Sequence, residues 1–326
     1  MGVDRLNAVV REVALSAFQR AAILAVGMTG DISRLPPAQE LLEWRSLRGK
    51  TLVHVCAKSS KIAALAEVLR RTNFQLLNAQ DQYGFTPLSS AAEGGCTSSA
   101  QALISLRADI EIPDVDGFRP LHHASMAGAF EVVRLLLQVR ADIEAPTSFS
   151  GGGFRPLSLA AFAGHPRLLH LLASQGADLT AATGSGAGAI GVAARHGHAE
   201  AVAVLLAIRG QPDMPNARWP GRTPLVQAAE RGHISVVGLL VGARACARSA
   251  RRHWRFIHDF SRRELHKSHS IRVLLGGSPR DDSEDSDGGF SACTPVLARR
   301  GLPRRLAGWP SMSALAPGCC SGCPLQ

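Results

Sequence analysis

A helix-start motif, Thr/Arg-Pro-Leu followed by a small or imidazole side chain, recurs along this chain every 32 to 36 residues. Its clearest copies are Thr86-Pro87-Leu88-Ser89, Arg119-Pro120-Leu121-His122, Arg155-Pro156-Leu157-Ser158 and Thr223-Pro224-Leu225-Val226. A period in the low thirties constrains the architecture more than any other feature. Each unit is too short to bury its own apolar face and must stack on its neighbours, which predicts a helical solenoid.

The best-formed unit, Asp114 to Ile143, shows how one period folds. Asp114-Val115-Asp116-Gly117 reads as a turn. Pro120 has no N–H to lose and a fixed φ that suits the first helical turn, so a helix starts there and runs through Ser125 until Gly128 stops it. A second helix, Phe130 to Gln138, presents Val132, Val133, Leu135, Leu136 and Leu137 before Ala141-Asp142-Ile143 leads out. Small alanines on the first helix permit close approach, and the leucines of the second fill the space between layers. Aromatics are only 5% of a chain that is 46% hydrophobic, so Ala, Leu and Val must carry the core.

Gly164-His165 with Gly176-Ala177-Asp178, Gly197-His198 with Val204-Leu205-Leu206, and Gly232-His233 with Val236-Val237 repeat the second half of this pattern. Together these elements resemble the ankyrin repeat, whose pattern joins a Gly-x-Thr-Pro-Leu-His start, a Gly-His turn, a Val-Val-x-Leu-Leu helix and a Gly-Ala-Asp exit. The resemblance implies an all-α solenoid of helix-turn-helix units with finger hairpin loops. With a divergent first copy at Thr51-Leu52-Val53-His54, about six repeats are expected over residues 49–250.

Three departures from the pattern stand out. The fifth copy begins Gly188-Ala189-Ile190-Gly191, without Thr or Pro, and should be locally soft. Cys96-Thr97-Ser98-Ser99 replaces the Gly-His turn in the second copy. An insertion at 149–153, Phe149-Ser150-Gly151-Gly152-Gly153, lengthens one finger into a flexible loop. Helical spacing of Leu6, Val9, Val10, Val13, Ala17 and Leu24, and a short helix at Gln39 to Trp44 after Pro36-Pro37, give residues 1–48 the character of an N-terminal helical cap. Residues 251–277 mix Trp254, Ile257, Phe260 and Leu265 with basic side chains and read as a C-terminal cap or degenerate seventh repeat. From 278 to 326 the composition predicts a disordered tail.

The formal net charge of +10 is concentrated toward that end, since residues 251–326 carry half of it on under a quarter of the length. A basic tail attracts anionic partners. No 18-residue uncharged apolar run exists, no secretory signal is expected, and the 7 irregularly spaced cysteines read as free thiols in a reducing compartment. The chain is therefore expected in the cytoplasm, with nuclear or membrane association as alternatives.

The histidines at His165, His198 and His233 share one turn position, where the resemblance implies structural hydrogen bonds. The Cys319-Cys320-x-x-Cys323 cluster has no fourth ligand in view, so no metal, cofactor or small-molecule substrate is expected. Nor does any phosphate loop, nucleophile elbow or paired-carboxylate arrangement emerge, so no catalytic residue is assigned. Phe85, Phe118 and Phe154 each follow a glycine at equivalent positions, which the resemblance places near the fingers lining a concave groove. Tyr83, Arg119, Arg155, Trp219 and Arg222 lie beside the same strip, and aromatic and Arg side chains carry most binding energy at protein interfaces. The expected function is that of a scaffold or adaptor binding a protein partner.

Two alternatives concern the end of the chain. Cys323-Pro324-Leu325-Gln326 has the spacing of a prenylation motif, with Cys319 and Cys320 as further acylation sites, although Pro324 departs from the pattern; a membrane becomes a partner only if this tail is lipidated. The basic segment could instead bind an anionic surface or nucleic acid, yet its basic pairs are scattered and no RNA module accompanies them. Ser283 and Ser286 stand in an acidic run suited to phosphorylation.

Overall fold

The computed structural model describes residues 24–148, 152–208, 210–214, 216–219 and 221–243. Six helix pairs follow one another: Leu52–Lys58 with Ile62–Arg71, Pro87–Glu93 with Thr97–Ser105, Pro120–Ala127 with Phe130–Gln138, Pro156–Ala163 with Pro166–Ser174, Ala189–His196 with Ala199–Ala207, and Pro224–Glu230 with Ile234–Gly242. They are units 1 to 6 below. Each first helix packs on the first helices before and after it, and each second helix does likewise, so the pairs stack into two layers. The third unit has the bounds that its sequence predicts.

Local chemistry sets where each first helix begins and ends. Thr86 and Thr223 accept the N–H of Ser89 and Val226, and proline opens the helix in units 2, 3, 4 and 6. In units 3, 4 and 5 the helix stops at a left-handed glycine: Gly128, Gly164 or Gly197, with φ of 71°, 74° and 78°. A second reason excludes any side chain there. A Cβ on these glycines would lie 2.6, 2.5 and 2.6 Å from the imidazoles of His165, His198 and His233.

Those imidazoles tie consecutive units together. Their Nε2–H groups donate to the carbonyls of Met126, Phe162 and Arg195, one unit earlier, at 3.1, 2.9 and 3.1 Å. The helix ends thereby gain partners for carbonyls that the helix itself leaves unpaired. In unit 2 the position belongs to Cys96, whose Sγ–H donates over 3.0 Å to the carbonyl of Lys58, the residue equivalent to Met126. The departure seen in sequence is thus chemically compensated.

The layers bury different residues because their surroundings differ. First helices are flanked on both sides and backed by the second layer, so nearly all of Pro120 to Ser125 is buried, and alanines such as Ala91, Ala124, Ala160, Ala193 and Ala228 are wholly inaccessible. Second helices bury one face, for example Val132, Val133 and Leu136, or Leu168, Leu169 and Leu172. Each leucine so buried stabilises the fold by about 2 kcal/mol.

Between units the chain forms fingers. Asp81, Asp114, Thr147 and Thr183 donate their N–H to Phe85, Phe118, Phe154 and Ala187, closing each turn. Successive tips are then linked by backbone bonds, from Gln82 to Arg48, Val115 to Tyr83, Ser148 to Asp116, Gly184 to Gly152 and Ala217 to Gly186. Of the inserted segment, Phe149, Ser150 and Gly151 lie outside the described residues, whereas Gly152 joins this ladder. Ahead of unit 1, the helix Ala38–Glu43 packs on Ile62–Arg71 with Leu41 and Trp44 buried, and Arg71 donates to the carbonyls of Leu35 and Pro36. The predicted helix over residues 6–24 falls almost wholly outside the described residues, as does everything after residue 243.

Candidate functional site

One strip runs from the finger bases onto the first helices. Its members come from two parts of the period: the residue after the finger glycine, and residues four, seven and eight positions beyond the helix N-cap. Phe85 and Phe118 both occupy the first offset and are half-buried. They do not stack on each other. His123 of unit 3 lies between them, its ring centroid 4.4 Å from that of Phe85 and 5.5 Å from that of Phe118. Phe154 turns instead toward Phe162, at 6.2 Å, and Phe162 meets His196 at 4.4 Å. The rings thus form two separate clusters, Phe85–His123–Phe118 and Phe154–Phe162–His196, and the three phenylalanines do not make one continuous row.

His123 is held from behind. Its Nε2–H donates to Asp114 Oδ2 at 3.0 Å, while Asp114 Oδ1 accepts the N–H of Asp116 and of Phe118. One carboxylate therefore shapes the finger and orients the ring. Unit 2 has the same carboxylate, Asp81, accepting from Tyr83 and Phe85, but Ser90 in place of His123. Asp81 Oδ2 and Ser90 Oγ are consequently both buried without a hydrogen-bond partner.

His54 and His122 serve a different purpose. Each closes the start of its own helix by accepting a backbone N–H at Nδ1, from Thr51 and Arg119 respectively. Each then donates from Nε2 at 2.8 Å to the following unit, to the carbonyls of Phe85 and Ala145. Both rings must be neutral to do this. Burial pushes both pKa values down to about 4, against a smaller opposing effect of the carbonyl bond.

The three arginines of the predicted site are engaged within the array. Arg119 contacts Glu111 at 2.7 Å and Asp142 at 3.3 Å, Arg155 lies 3.2 Å from Glu144, and Arg222 pairs with Glu230. Tyr83 and Trp219 are free to meet another molecule, being 47% and 58% exposed near the finger tips. Sequence reasoning passed over Met126 and Phe162, which are 48% and 37% exposed. A signal was available in their equivalence, since both stand six residues after the helix-opening proline.

Among the described residues, no group of three His, Cys, Asp or Glu side chains is placed to hold a metal ion. Cys56 is buried, which pushes its thiol up to about 12. No described helix is long and apolar enough to cross a membrane. The lipidation candidates Cys319, Cys320 and Cys323, the phosphorylation candidates Ser283 and Ser286, and the basic segment 251–277 lie outside the described residues.

Comparison with protein families matches ankyrin repeats over three overlapping stretches, residues 53–147, 99–183 and 157–249, which together cover more than half of the chain. No curated protein matches it.

Proposed function

Because the chain belongs to the ankyrin-repeat family, whose members are generally protein-binding scaffolds, we propose that it binds a protein partner across the finger tips and first helices, as an adaptor without chemistry of its own. One observation supports this reading above the others. Tyr83, Met126, Phe162 and Trp219 are large, largely apolar and exposed on the finger tips and first helices. Aromatic anchors of this kind dominate the energetics of protein interfaces. The half-buried Phe85, Phe118 and Phe154 act mainly by fixing the finger bases, Arg119 and Arg155 by bridging to the loop residues Glu111, Asp142 and Glu144, and Arg222 by joining its finger to Glu230 of the following helix.

The test is affinity capture with mass spectrometry, comparing the full chain with a Tyr83→Ala, Phe162→Ala, Trp219→Ala variant. All three side chains are exposed enough that the variant should keep its circular dichroism spectrum and melting temperature within a few degrees. Loss of the same set of proteins from the folded variant is the expected result. Retention of every partner would overturn the assignment of this face.

A further inference from the structure

The two ends of the array treat one cross-unit ion pair differently. In units 1 and 2, Lys58 and Glu93 stand six residues beyond the first residue of their helices and meet at 2.9 Å. Units 5 and 6 carry the same charges at the same two positions, as Arg195 and Glu230. There, however, Glu230 is taken by Arg222 from its own finger. Arg195 is left without an ion-pair partner among the described residues, and the exposed Arg231 beside Glu230 has none either.

The field around these arginines agrees with that geometry. His196 lies next to Arg195, and its pKa is lowered first by burial and then by the positive charge of Arg195, His198, Arg231 and His233. Uncompensated positive charge is thus concentrated at the ends of two adjacent first helices. It does not stand alone, because the ring of His196 rests against Phe162, and Met126 occupies the position equivalent to Phe162 one unit earlier. An apolar surface therefore passes directly into a cationic one.

We propose that this face docks an acidic linear peptide segment of a partner protein, with an apolar residue on Met126 and Phe162 and carboxylates on Arg195 and Arg231. This deepens the protein-binding reading and rests on it. Adjacent helices lie roughly 8–10 Å apart, so the two steps from Phe162 to Arg231 are spanned by about six extended residues. Nucleic acid is the poorer match. It draws affinity from many phosphate contacts along a continuous basic track, whereas here two arginines adjoin an apolar patch.

The experiment uses the full chain and a fluorescein-labelled oligoglutamate peptide carrying one leucine, read by fluorescence anisotropy beside its oligoglutamine counterpart and labelled oligothymidylate. The glutamate peptide should bind more tightly than the glutamine peptide. An Arg195→Glu, Arg231→Glu variant should lose affinity about tenfold, equivalent to about 1.4 kcal/mol, with an unchanged circular dichroism spectrum, and Phe162→Ala should weaken binding less. Equal binding of the two peptides overturns the proposal. So does affinity unaltered by the charge reversal, which would assign the binding to the basic C-terminal residues, or tighter binding of oligothymidylate than of the glutamate peptide. Captured partners that depend on Tyr83, Phe162 and Trp219 but ignore the charge reversal would leave groove binding intact while sinking the acidic occupant.

Discussion

Units 3 and 5 reach the same eight-residue first helix by opposite means. In unit 3, Pro120 fixes the first turn, His122 accepts the N–H of Arg119 and ties the helix to Ala145, and His123 ties it to Asp114. Unit 5 starts at Gly188 with no side-chain cap and no proline. What stands in place of those groups is close approach by unit 6 and its finger. A Cβ on Gly188 would lie 2.7 Å from Met214 Sδ, and one on Gly191 3.1 Å from Gln227 Nε2. A repeat can thus be specified by its own side chains or by room left for its neighbour, with the same backbone result.

The largest expected effect comes from acid. His54 and His122 titrate near 6.5 when unfolded and near 4 when folded, so the unfolded chain binds protons first as pH falls. Their contribution is complete above pH 6.5, is lost between about 6.5 and 4, and changes no further below 4. Each is on the order of 3 kcal/mol over that window, because every pH unit between the folded and unfolded values is equivalent to about 1.4 kcal/mol. Urea midpoints should therefore fall steeply between pH 7 and pH 4, and His122→Gln should flatten that fall. A profile unchanged by the substitution would show that the ring is not held neutral in the folded chain.

Hydrogen exchange sharpens the contrast directly. Amides of Ala189–His196 should exchange about tenfold faster than those of Pro120–Ala127, since a missing cap costs about 1 kcal/mol and glycine adds backbone entropy. Equal protection would mean that contacts through Met214 and Gln227 fully replace the cap.

The smallest effect is a gain. Ser90→His would give unit 2 the pair that unit 3 has, supplying a partner to the buried Asp81 Oδ2, and should stabilise the chain by about 1 kcal/mol. Thermal or urea denaturation at neutral pH reads this. A loss would indicate that the space beside Asp81 is too small for an imidazole.

Much of this fold was legible in the chain because its signals are local. Pro120 and Gly128 bound a helix by their own backbone preferences, and Val132, Val133 and Leu136 mark a buried face by spacing alone. The structural role of His165, His198 and His233 was legible too, through the resemblance that their shared turn position carries. The candidate site was less so. Phe85, Phe118 and Phe154 were found by position, but their half-buried packing on His123 and Phe162 depends on how separate elements come together. Exposure separates Tyr83 and Trp219 from the ion-paired arginines, and no local pattern reports exposure.

The sequence by itself determined the period, the helix pairs and the glycine and imidazole positions, since each follows from the conformational limits of a few neighbouring residues. Only the tertiary structure decided who pairs with whom. Cys96 took over a histidine's bond to Lys58, Asp81 was left with a buried oxygen unpaired, and Glu230 chose Arg222 over Arg195. These outcomes depend on which of several chemically acceptable partners lies within about 3 Å once the units have stacked. Such distances are fixed by the packing of neighbouring helices and fingers, and no residue carries them alone.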